Sequence, residues 1–333
     1  MGRGRVYVIA EAATCHGGDE REAHRLVDAA KEAGCGAVKF QMIEPDELYA
    51  PYIQVDGVFH TNPVLASRER ERLTTNAWKE IRAHCSDLDL DFSATVFGPR
   101  SLEQLMNLDP DFLKVASTDV DYHDLLRALG VTGLPVYLST GMASLADVGQ
   151  ALEVLATSNS GNVCILHCVS VYPCPPELVN LPRMESLKRF GHPVGFSDHT
   201  LGVGAAAAAI AMGAVAVEKH MKLSTGPKTA DSDHSLDEEA LTTFVQAVNA
   251  ASASLIDRGS EISQDEQTVA LRARRGAYAR RSLARKHVLH SSDITWVRPS
   301  TGLGPGRSEA IIGRRLERDL VAGEPIRETD VYP

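Results

Sequence analysis

The first 220 residues contain eight short apolar runs, and most of these runs do not alternate apolar with polar positions. Runs of this kind are typical of strands that are covered on both faces, as in a parallel sheet. The eight runs are residues 6–12, 37–41, 91–96, 112–117, 135–140, 163–168, 193–199 and 214–220. Because segments with helical periodicity separate them, the chain is predicted to alternate strand and helix.

Three of the intervening segments carry clear helix signals. Residues 20–34 place apolar side chains on one face and stop at Gly34, a residue that often follows a helix. Residues 144–155 open with Ser144, and the helix after the last run is predicted to be capped by Ser235. Eight strand–helix units within about 257 residues favour a (β/α)8 TIM barrel. The alternative, a doubly wound sheet, lacks a G-x-G-x-x-G motif after the first strand.

Polar residues gather at the carboxyl ends of the predicted strands, where barrel enzymes place their active sites. They are Glu11, Lys39, Gln41, Thr95, Lys114, Ser117, Ser139, Thr140, His167, Ser197, Asp198, His199, Glu218 and His220. His199 and His220 would lie at neighbouring strand ends, where two imidazoles and an acid can share a divalent ion. The candidate acids are Asp198, Glu218 and Asp231. The remaining histidines are interpreted as structural, except His16, which follows the first strand.

The lysines and hydroxyls of this set predict an anion site. Lys39 and Lys114 would supply ammonium groups for a phosphate or carboxylate ligand. The hydroxyls are those of Thr95, Ser117, Ser139 and Ser197. Glu11 and Asp119 are the candidates for acid–base chemistry.

Two loops are expected to border this site. Residues 42–66 form a long connection after the second strand, and long loops on this face of a barrel often act as lids. Residues 167–181 are rich in proline and are expected to hold Tyr172 over the site.

Composition narrows the function classes. The net charge of −10 argues against nucleic-acid binding. Six cysteines without a C-x-x-C pair indicate reduced thiols and a cytoplasmic location, since no signal peptide is visible at the amino terminus. The apolar stretch 201–217 is too short and too broken for a membrane span.

The charge composition of the carboxyl-terminal part indicates a separate unit. From Asp265 onward the chain has 13 Lys or Arg and 9 Asp or Glu, in contrast to the acidic remainder. We predict a catalytic domain over residues 1–257, a linker over 258–275 and a small β-rich domain over 276–333. Arg298 precedes a proline and a glycine-rich loop, so its position is expected to be well defined.

Over nearly its whole length the chain resembles the sialic acid synthase family, the N-acetylneuraminate synthase group. The stretches that carry the resemblance are "IAEAATCHGG", "AVKFQ", "FLKVAS", "LSTGM", "LHCVSVYP", "GFSDHT", "VEKHM", "DSDHSLDEEAL" and "WVRPSTGLGP". It implies a TIM barrel followed by an antifreeze-like (SAF) domain in a domain-swapped homodimer. It also implies a transferase that condenses phosphoenolpyruvate with an open-chain acetamido sugar, giving a nine-carbon 2-keto sugar acid and phosphate.

The resemblance also implies roles for single residues. His199 and His220 match the ligands of a divalent metal ion, Mn²⁺ or Mg²⁺. The residues that match phosphoenolpyruvate contacts are Lys39, Thr95, Lys114, Ser117, Ser139 and Ser197, with Ser170 where many members have an Asn. Gln41, Tyr172 and Asp231 match sugar contacts, and Arg298 matches an arginine that reaches the partner's site. Glu11 matches a glutamate of proton transfer or water activation, and Asp119 takes the place of a second acid.

Several departures from the family pattern leave the acceptor sugar open. Ala13 and Cys15 stand where the first motif has Gly and Asn, "ADSDH" replaces "GPDH", and residues 284–294 lack a G-E turn. Asp119 is one methylene shorter than the usual Glu. The default acceptor is N-acetylmannosamine. The alternatives are a diacetamido-dideoxy sugar of the legionaminic or pseudaminic type and a specialised-metabolite sugar. The alternative functions are those of a non-catalytic sugar-binding barrel and of a metal-dependent aldolase.

Overall fold

The computed structural model describes residues 6–158 and 162–332. Its strands are β1 (Tyr7–Ala13), β2 (Ala37–Met42), β3 (Tyr52–Val55), β4 (Val58–Thr61), β5 (Asp91–Val96), β6 (Leu113–Val115), β7 (Val136–Ser139), β8 (Val163–Cys168), β9 (Val194–Asp198), β10 (Ala216–His220), β11 (Gly276–Ala279), β12 (Ile294–Val297), β13 (Arg315–Leu316) and β14 (Val331–Tyr332). Eight parallel strands close into a barrel in the order β1-β10-β9-β8-β7-β6-β5-β2. The predicted TIM barrel is therefore confirmed, and each of the eight apolar runs contains one barrel strand.

Helices follow every barrel strand and cover the sheet. They are α1 (Glu20–Glu32), α2 (Pro45–Leu48), α3 (Pro63–Arg70), α4 (Thr75–Asp87), α5 (Pro99–Met106), α6 (His123–Gly130), α7 (Leu145–Thr157), α8 (Arg183–Lys188), α9 (Gly204–Ala211), α10 (Glu238–Ser254) and α11 (Gln264–Ala273). Leu26 and Val27 on the predicted apolar face of α1 are fully buried against the barrel. The strands are buried on both faces, because the helices cover the outside of the barrel and side chains fill its interior.

Two of the three predicted helix-end residues agree with the structure, and the third does not. Gly34 has a φ of +82° directly after α1, as its predicted role requires. The Ser144 side chain accepts a hydrogen bond from the Asp147 amide and caps α7. Ser235 does not cap α10, because its hydroxyl donates to the Asp231 carbonyl at 2.6 Å. The carboxylate of Asp237 caps this helix instead.

The parallel register brings the polar strand ends together. Glu11 is the register partner of Lys39 on one side and of His220 on the other. Thr95 is in turn paired with Lys114 on the next strand. Residues far apart in sequence therefore meet on one rim of the barrel.

No helix among the described residues is long and apolar enough to cross a membrane. The apolar stretch 201–217 forms α9 and the start of β10 instead.

The chain divides into two compact units, Met1–Ile256 and Asp257–Pro333. The second unit has its own core, built around Ala277, Leu289, Ile311 and Leu316. Two short antiparallel sheets, β11-β12 and β13-β14, make it β-rich. The segment predicted as a linker contains helix α11.

The second unit contains an internal repeat. The Arg281 guanidinium lies 2.8 Å from Asp293, and that of Arg318 lies 2.7 Å from Asp330, twelve residues later in each copy. Each acid also accepts a backbone hydrogen bond from the residue three positions earlier. Lys286 and Gly323 occupy the same place in the two copies, with φ of +70° and +84°. Lys286 thus occupies the left-handed turn at which the second copy has glycine.

We expect Lys286→Gly to stabilise the second unit by about 0.5–1 kcal/mol. The left-handed conformation costs a non-glycine residue about 1–2 kcal/mol, and glycine avoids this cost. Part of the gain is lost, because glycine loses more backbone entropy on folding than lysine does. Gly323→Ala is the matched control, since a Cβ there meets nothing within 4 Å and the cost is backbone strain alone. Amide hydrogen exchange of residues 276–332 in the full chain measures the change of stability in both variants. Slower exchange in the first variant and faster exchange in the second are expected; no change in either would contradict this account.

Candidate active site

A cavity of about 460 Å³ opens at the carboxyl ends of the barrel strands, a volume typical of small-ligand sites. Twelve of the residues predicted for the site line it: Glu11, Lys39, Gln41, Thr95, Lys114, Ser117, Ser139, Ser170, Tyr172, Ser197, His199 and His220. Three others do not line this cavity. Asp119 lies behind Thr118, whose hydroxyl donates to it at 2.9 Å. Asp231 lies in the loop after β10, and Arg298 belongs to the second unit, directly after β12.

The floor of the cavity is a buried cluster of two lysines and two glutamates. The Lys39 ammonium group contacts the Glu11 carboxylate and donates to Thr95 Oγ1 at 2.8 Å. The carboxylate of Glu218 lies 3.7 Å from both Lys39 Nζ and Lys114 Nζ. Paired charges of this kind can be held away from water, whereas a single one would be costly.

The two carboxyl groups of the floor differ in acidity. Burial raises the pKa of Glu11 to about 7, and this outweighs the opposing effect of Lys39. Burial acts in the same direction on Glu218, but the ammonium groups of Lys114 and Lys39 hold its pKa well below the usual range. Burial also lowers the pKa of Lys114. With Glu11 protonated and both lysines charged, the four groups carry one net positive charge, which favours an anionic ligand.

Hydroxyl groups above this floor have unused hydrogen-bonding capacity. The Oγ atoms of Ser139 and Ser170 are buried and have no hydrogen-bond partner among the residues that the structure describes. Ser117 Oγ accepts a hydrogen bond from the Gly141 amide at 2.9 Å. A Cβ at Gly141 would overlap the hydroxyls of Ser170 and Ser117, so glycine is required at this place. Buried polar atoms are seldom left unpaired, and these two are available to a ligand.

Two histidines also line the cavity. The ring centroids of His199 and His220 are 5.5 Å apart, which is compatible with two imidazoles sharing an ion about 2 Å from each nitrogen. His199 Nδ1 pairs with the Val169 carbonyl at 2.8 Å, which leaves its Nε2 for a ligand. Burial lowers the pKa of His220 well below its usual range, so its imidazole is neutral, as metal binding requires.

His234, which sequence reasoning assigned a structural role, also lies here. Ligand atoms of His220, Asp231 and His234 are all within 4.8 Å of one another. Within residues 6–158 and 162–332, His220 Nδ1, Asp231 Oδ2 and His234 Nε2 are buried and have no hydrogen-bond partner. The donor set therefore fits a divalent metal ion. The signal in the sequence was a histidine three residues after Asp231, in the stretch "ADSDH".

Two of the candidate metal acids serve other purposes. Asp198 points away from the cavity, where one oxygen lies 3.0 Å from Lys219 Nζ and the other accepts the Thr200 amide. Glu218 faces the lysines of the floor and accepts from Ser197 Oγ at 2.8 Å. Asp231 is thus the candidate acid that lies with the metal-binding histidines.

His16, His167 and Thr140 do not line the cavity. The Nδ1 atom of His16 accepts a hydrogen bond from the Gly18 amide, and its ring packs on Phe40 and Trp78. His167 pairs with the Val179 carbonyl, and Thr140 donates to the Leu166 carbonyl. These three side chains support the rim rather than the site.

The predicted border loops contribute to the cavity in different ways. Tyr172 packs on His199 with ring centroids 4.1 Å apart. Residues 42–66 form α2 and an exposed β3-β4 hairpin, and they supply Ile43, Leu48 and Tyr49 to the lining. The sequence did not single out these apolar residues, nor Phe97, Met142 and Cys168, which also line the cavity.

Comparison with known proteins agrees with this architecture. The chain is 32% identical over 327 residues to the N,N'-diacetyllegionaminic acid synthase of Legionella pneumophila, covering 95% of this chain and 92% of the relative. It is 31% identical to the N-acetylneuraminate-9-phosphate synthase of Drosophila melanogaster, over 73% of this chain and 67% of the relative. The crystal structure of an N-acetylneuraminic acid synthetase from Leptospira borgpetersenii in complex with citrate aligns with a TM-score of 0.71 and 28% identity, over 80% of this chain and 91% of that one.

Family models match both parts of the chain. The NeuB family model matches residues 26–260, more than half of the chain, and the SAF domain model matches residues 274–331. The chain therefore belongs to the NeuB family and carries a carboxyl-terminal SAF domain.

Proposed function

We propose that this protein is a metal-dependent transferase that condenses phosphoenolpyruvate with an open-chain acetamido sugar. The products are a nine-carbon 2-keto sugar acid and phosphate. The observation that carries the proposal is one cavity that is lined by the buried pair of lysines, by the hydroxyls of Ser139 and Ser170 and by His199 and His220. The chain is similar to proteins named as synthases of N,N'-diacetyllegionaminic acid, pseudaminic acid and N-acetylneuraminate 9-phosphate, and these relatives support the same reaction class.

The floor of the cavity suits phosphoenolpyruvate. Its phosphate and carboxylate groups need several donors, and Lys39, Lys114 and the free hydroxyls of Ser139 and Ser170 can provide them. Thr95, Ser117 and Ser197 lie around the same lysines as further contacts.

Glu11 is the proposed acid–base group. In the reaction, C3 of phosphoenolpyruvate bonds to the aldehyde carbon of the sugar, a water oxygen adds to C2, and the C2–O bond to phosphate breaks. The water oxygen becomes the C2 keto oxygen and loses both protons: one goes to the aldehyde oxygen, and the other leaves with phosphate. A carboxyl group with a pKa near 7 can take up and return a proton at neutral pH. The Gln41 amide donates to Glu11 Oε1 at 3.3 Å and would help to orient it. Asp119 stays a proposed second acid, to be reached through Thr118.

A metal ion, Mn²⁺ or Mg²⁺, would be held at His220, with His199 as the second ligand that the resemblance implies. Bound there, it would polarise the aldehyde oxygen as a Lewis acid. Gln41, Tyr172 and Asp231 are proposed to contact the sugar on that side of the cavity.

The remaining proposals concern the assembly. A domain-swapped homodimer would bring Arg298 of one subunit to the sugar of the other. A cytoplasmic location is supported by six cysteines that are all free thiols. N-acetylmannosamine and a diacetamido-dideoxy sugar both stay as candidate acceptors, because the apolar lining residues Ile43, Leu48 and Phe97 could accept a deoxy or acetyl group.

One assay tests the function. The protein is incubated with phosphoenolpyruvate, Mn²⁺ and a panel of acetamido sugars, and phosphate release and product mass are recorded. Phosphate release that requires both a sugar and the metal supports the proposal. Sugar binding without phosphate release would favour a non-catalytic sugar-binding barrel. Cleavage of a keto acid without phosphate would favour an aldolase.

We expect the affinity for phosphoenolpyruvate, measured without sugar, to fall by about tenfold between pH 6.5 and 8.5. Glu11 loses its proton as the pH rises through about 7, which places a negative charge beside the anion, and one linked proton changes affinity by at most about tenfold per pH unit. Glu11→Gln is the control. Its amide cannot ionise, whereas phosphoenolpyruvate still changes its own charge with pH, so the variant shows the part of the pH dependence that does not come from Glu11. Parallel pH curves for the two proteins would contradict the role of Glu11.

A further inference from the structure

Helix α5 begins without a cap of its own. Gly98, the residue before the helix, has no side chain, and Pro99 has no amide hydrogen to donate. The amides of Arg100 and Ser101 are therefore left for an acceptor from another part of the chain. Buried amides without a partner are costly, so the start of this helix depends on such an acceptor.

Glu47 in α2 supplies the acceptor. Its carboxylate accepts a hydrogen bond from the Arg100 amide at 2.8 Å and one from the Ser101 amide at 3.3 Å. The Glu47 side chain is largely buried. A Cβ at Gly98 would lie 2.6 Å from Glu47 Oε2, so the glycine leaves the space that the carboxylate occupies. One side chain of α2 thus serves as the cap of α5.

The two ends of this junction form part of the cavity. Leu48 and Tyr49 directly follow Glu47 in the chain, and Phe97 lies two residues before α5. All three side chains line the cavity, and we call them the junction wall. The Phe97 amide also donates to Ser101 Oγ at 3.1 Å. The place of the junction wall therefore depends on the contact between α2 and α5.

The junction wall suits the sugar better than phosphoenolpyruvate. It offers mainly apolar surface, whereas the charged groups of phosphoenolpyruvate need the ammonium groups and hydroxyls of the floor. Lys39 and Lys114 belong to the barrel strands β2 and β6, so their places do not depend on α2. A shift of α2 would move the junction wall and leave the two lysines where they are.

Helix α2 is attached to its surroundings at a second point. Glu44, the residue before α2, accepts hydrogen bonds from Arg72 Nη2 and from Gln104 Nε2, each at 2.9 Å. Loss of the Glu47 carboxylate should therefore loosen α2 without releasing it from the barrel.

We propose that Glu47 is a positioning residue that fixes the junction wall and thereby sets the affinity for the acceptor sugar. The inference rests on the proposed function, because it concerns the sugar of that reaction. Glu47 is not among the residues that line the cavity, and it acts through Leu48, Tyr49 and Phe97.

The test is the phosphate-release assay on the full-length protein, with Mn²⁺, saturating phosphoenolpyruvate and the acetamido sugar of the panel that the wild type uses. Glu47→Ala is expected to raise the KM for this sugar by about tenfold, a loss within the range that a misplacement of about 1 Å can cause. Because a lost binding contact raises KM alone, kcat should stay close to that of the wild type. The Kd for phosphoenolpyruvate, measured without sugar, should change by less than about twofold.

Two further variants separate positioning from helix stability. Asp19→Ala removes the carboxylate that caps α1 by accepting from the Arg21 amide at 2.8 Å. Loss of a cap should lower the Tm by about 2–4 °C in Asp19→Ala and in Glu47→Ala, but Asp19→Ala should leave the sugar KM unchanged. Gly98→Ser, added to Glu47→Ala, gives α5 a cap of its own. We expect it to restore the Tm but not the KM, because α2 is still detached from α5.

A size-conserving variant, Glu47→Gln, keeps one acceptor oxygen and should raise the sugar KM less than Glu47→Ala does. It decides the question if Glu47→Ala lacks the far-UV circular dichroism signal of the folded protein. A raised sugar KM that persists after Gly98→Ser, with normal affinity for phosphoenolpyruvate, supports the inference.

Four results would overturn the inference. They are an unchanged sugar KM in both Glu47 variants, an equal rise in Asp19→Ala, a parallel rise in the Kd for phosphoenolpyruvate, and recovery of the KM together with the Tm after Gly98→Ser. The last result would mean that Glu47 only caps α5. A wild-type protein that releases no phosphate with any sugar rejects the proposed function and the inference with it. An active wild type and Glu47 variants with an unchanged KM reject the inference alone.

Discussion

His220→Ala is expected to reduce phosphate release from phosphoenolpyruvate by about a hundredfold or more, with the barrel still folded. His220 is the residue shared by the His199 pair and by the group with Asp231 and His234, so its loss affects either ligand set. A Lewis acid supplies several kcal/mol of transition-state stabilisation, and each 1.4 kcal/mol corresponds to a factor of ten. The measurement is a phosphate-release assay across Mn²⁺ concentrations.

The fold should tolerate this change because His220 is the last residue of β10 and its side chain makes no hydrogen bond in the described residues that its loss would break. His192→Ala serves as the control for activity. Full activity of His220→Ala in metal-stripped buffer would refute the metal requirement. Loss of the folded circular dichroism signal would show instead that His220 has a structural role.

Lys114→Met is expected to raise the Kd for phosphoenolpyruvate by about 30-fold or more, corresponding to about 2 kcal/mol. Methionine keeps the length and apolar character of the side chain but removes the ammonium group from the floor of the cavity. Removing this ammonium group makes the net charge of the floor less positive. It also leaves Lys39 as the one lysine within 4 Å of the Glu218 carboxylate among the described residues. Calorimetric titration with phosphoenolpyruvate measures the change.

Lys219→Met is the contrasting variant, because Lys219 is equally buried on a barrel strand but does not line the cavity. Its ammonium group lies 3.0 Å from Asp198 and 5.2 Å from the centre of the Phe244 ring, on the outer side of the barrel. We expect it to lower the free energy of unfolding by about 3–5 kcal/mol, since it leaves a buried carboxylate unpaired. An unchanged Kd for phosphoenolpyruvate in this variant and a raised one in Lys114→Met would locate the anion site. A raised Kd in both would mean that general destabilisation causes the effect.

The sequence was informative about the strands because their burial is nearly complete. Strands covered on both faces must be apolar until they reach the rim, so a Lys39 or a His220 at the end of such a run marks the functional face. Eight repeats of this pattern predict both the barrel and one shared location for the polar ends. Twelve of the predicted site residues line one cavity for this reason.

The alternation of side chains along a strand separates inward-facing from outward-facing residues at the rim. Successive strand residues point to opposite faces, so Glu218 and His220 face inward while Lys219 faces outward. By the same rule Ser197 faces inward and Asp198 outward, where Asp198 meets Lys219. The alternation thus argued against Asp198 as a metal acid.

The sequence by itself determined the barrel, the rim on which the chemistry lies and most of the side chains there, because these depend on strand burial and on parallel order. Tertiary structure alone decided what the loops contribute. His234 reaches His220 only through the backbone bonds of Leu236, and the acidity of Glu11 depends on its burial between Lys39 and Glu218. Loop paths and burial depend on contacts between residues distant in sequence, which no local pattern encodes.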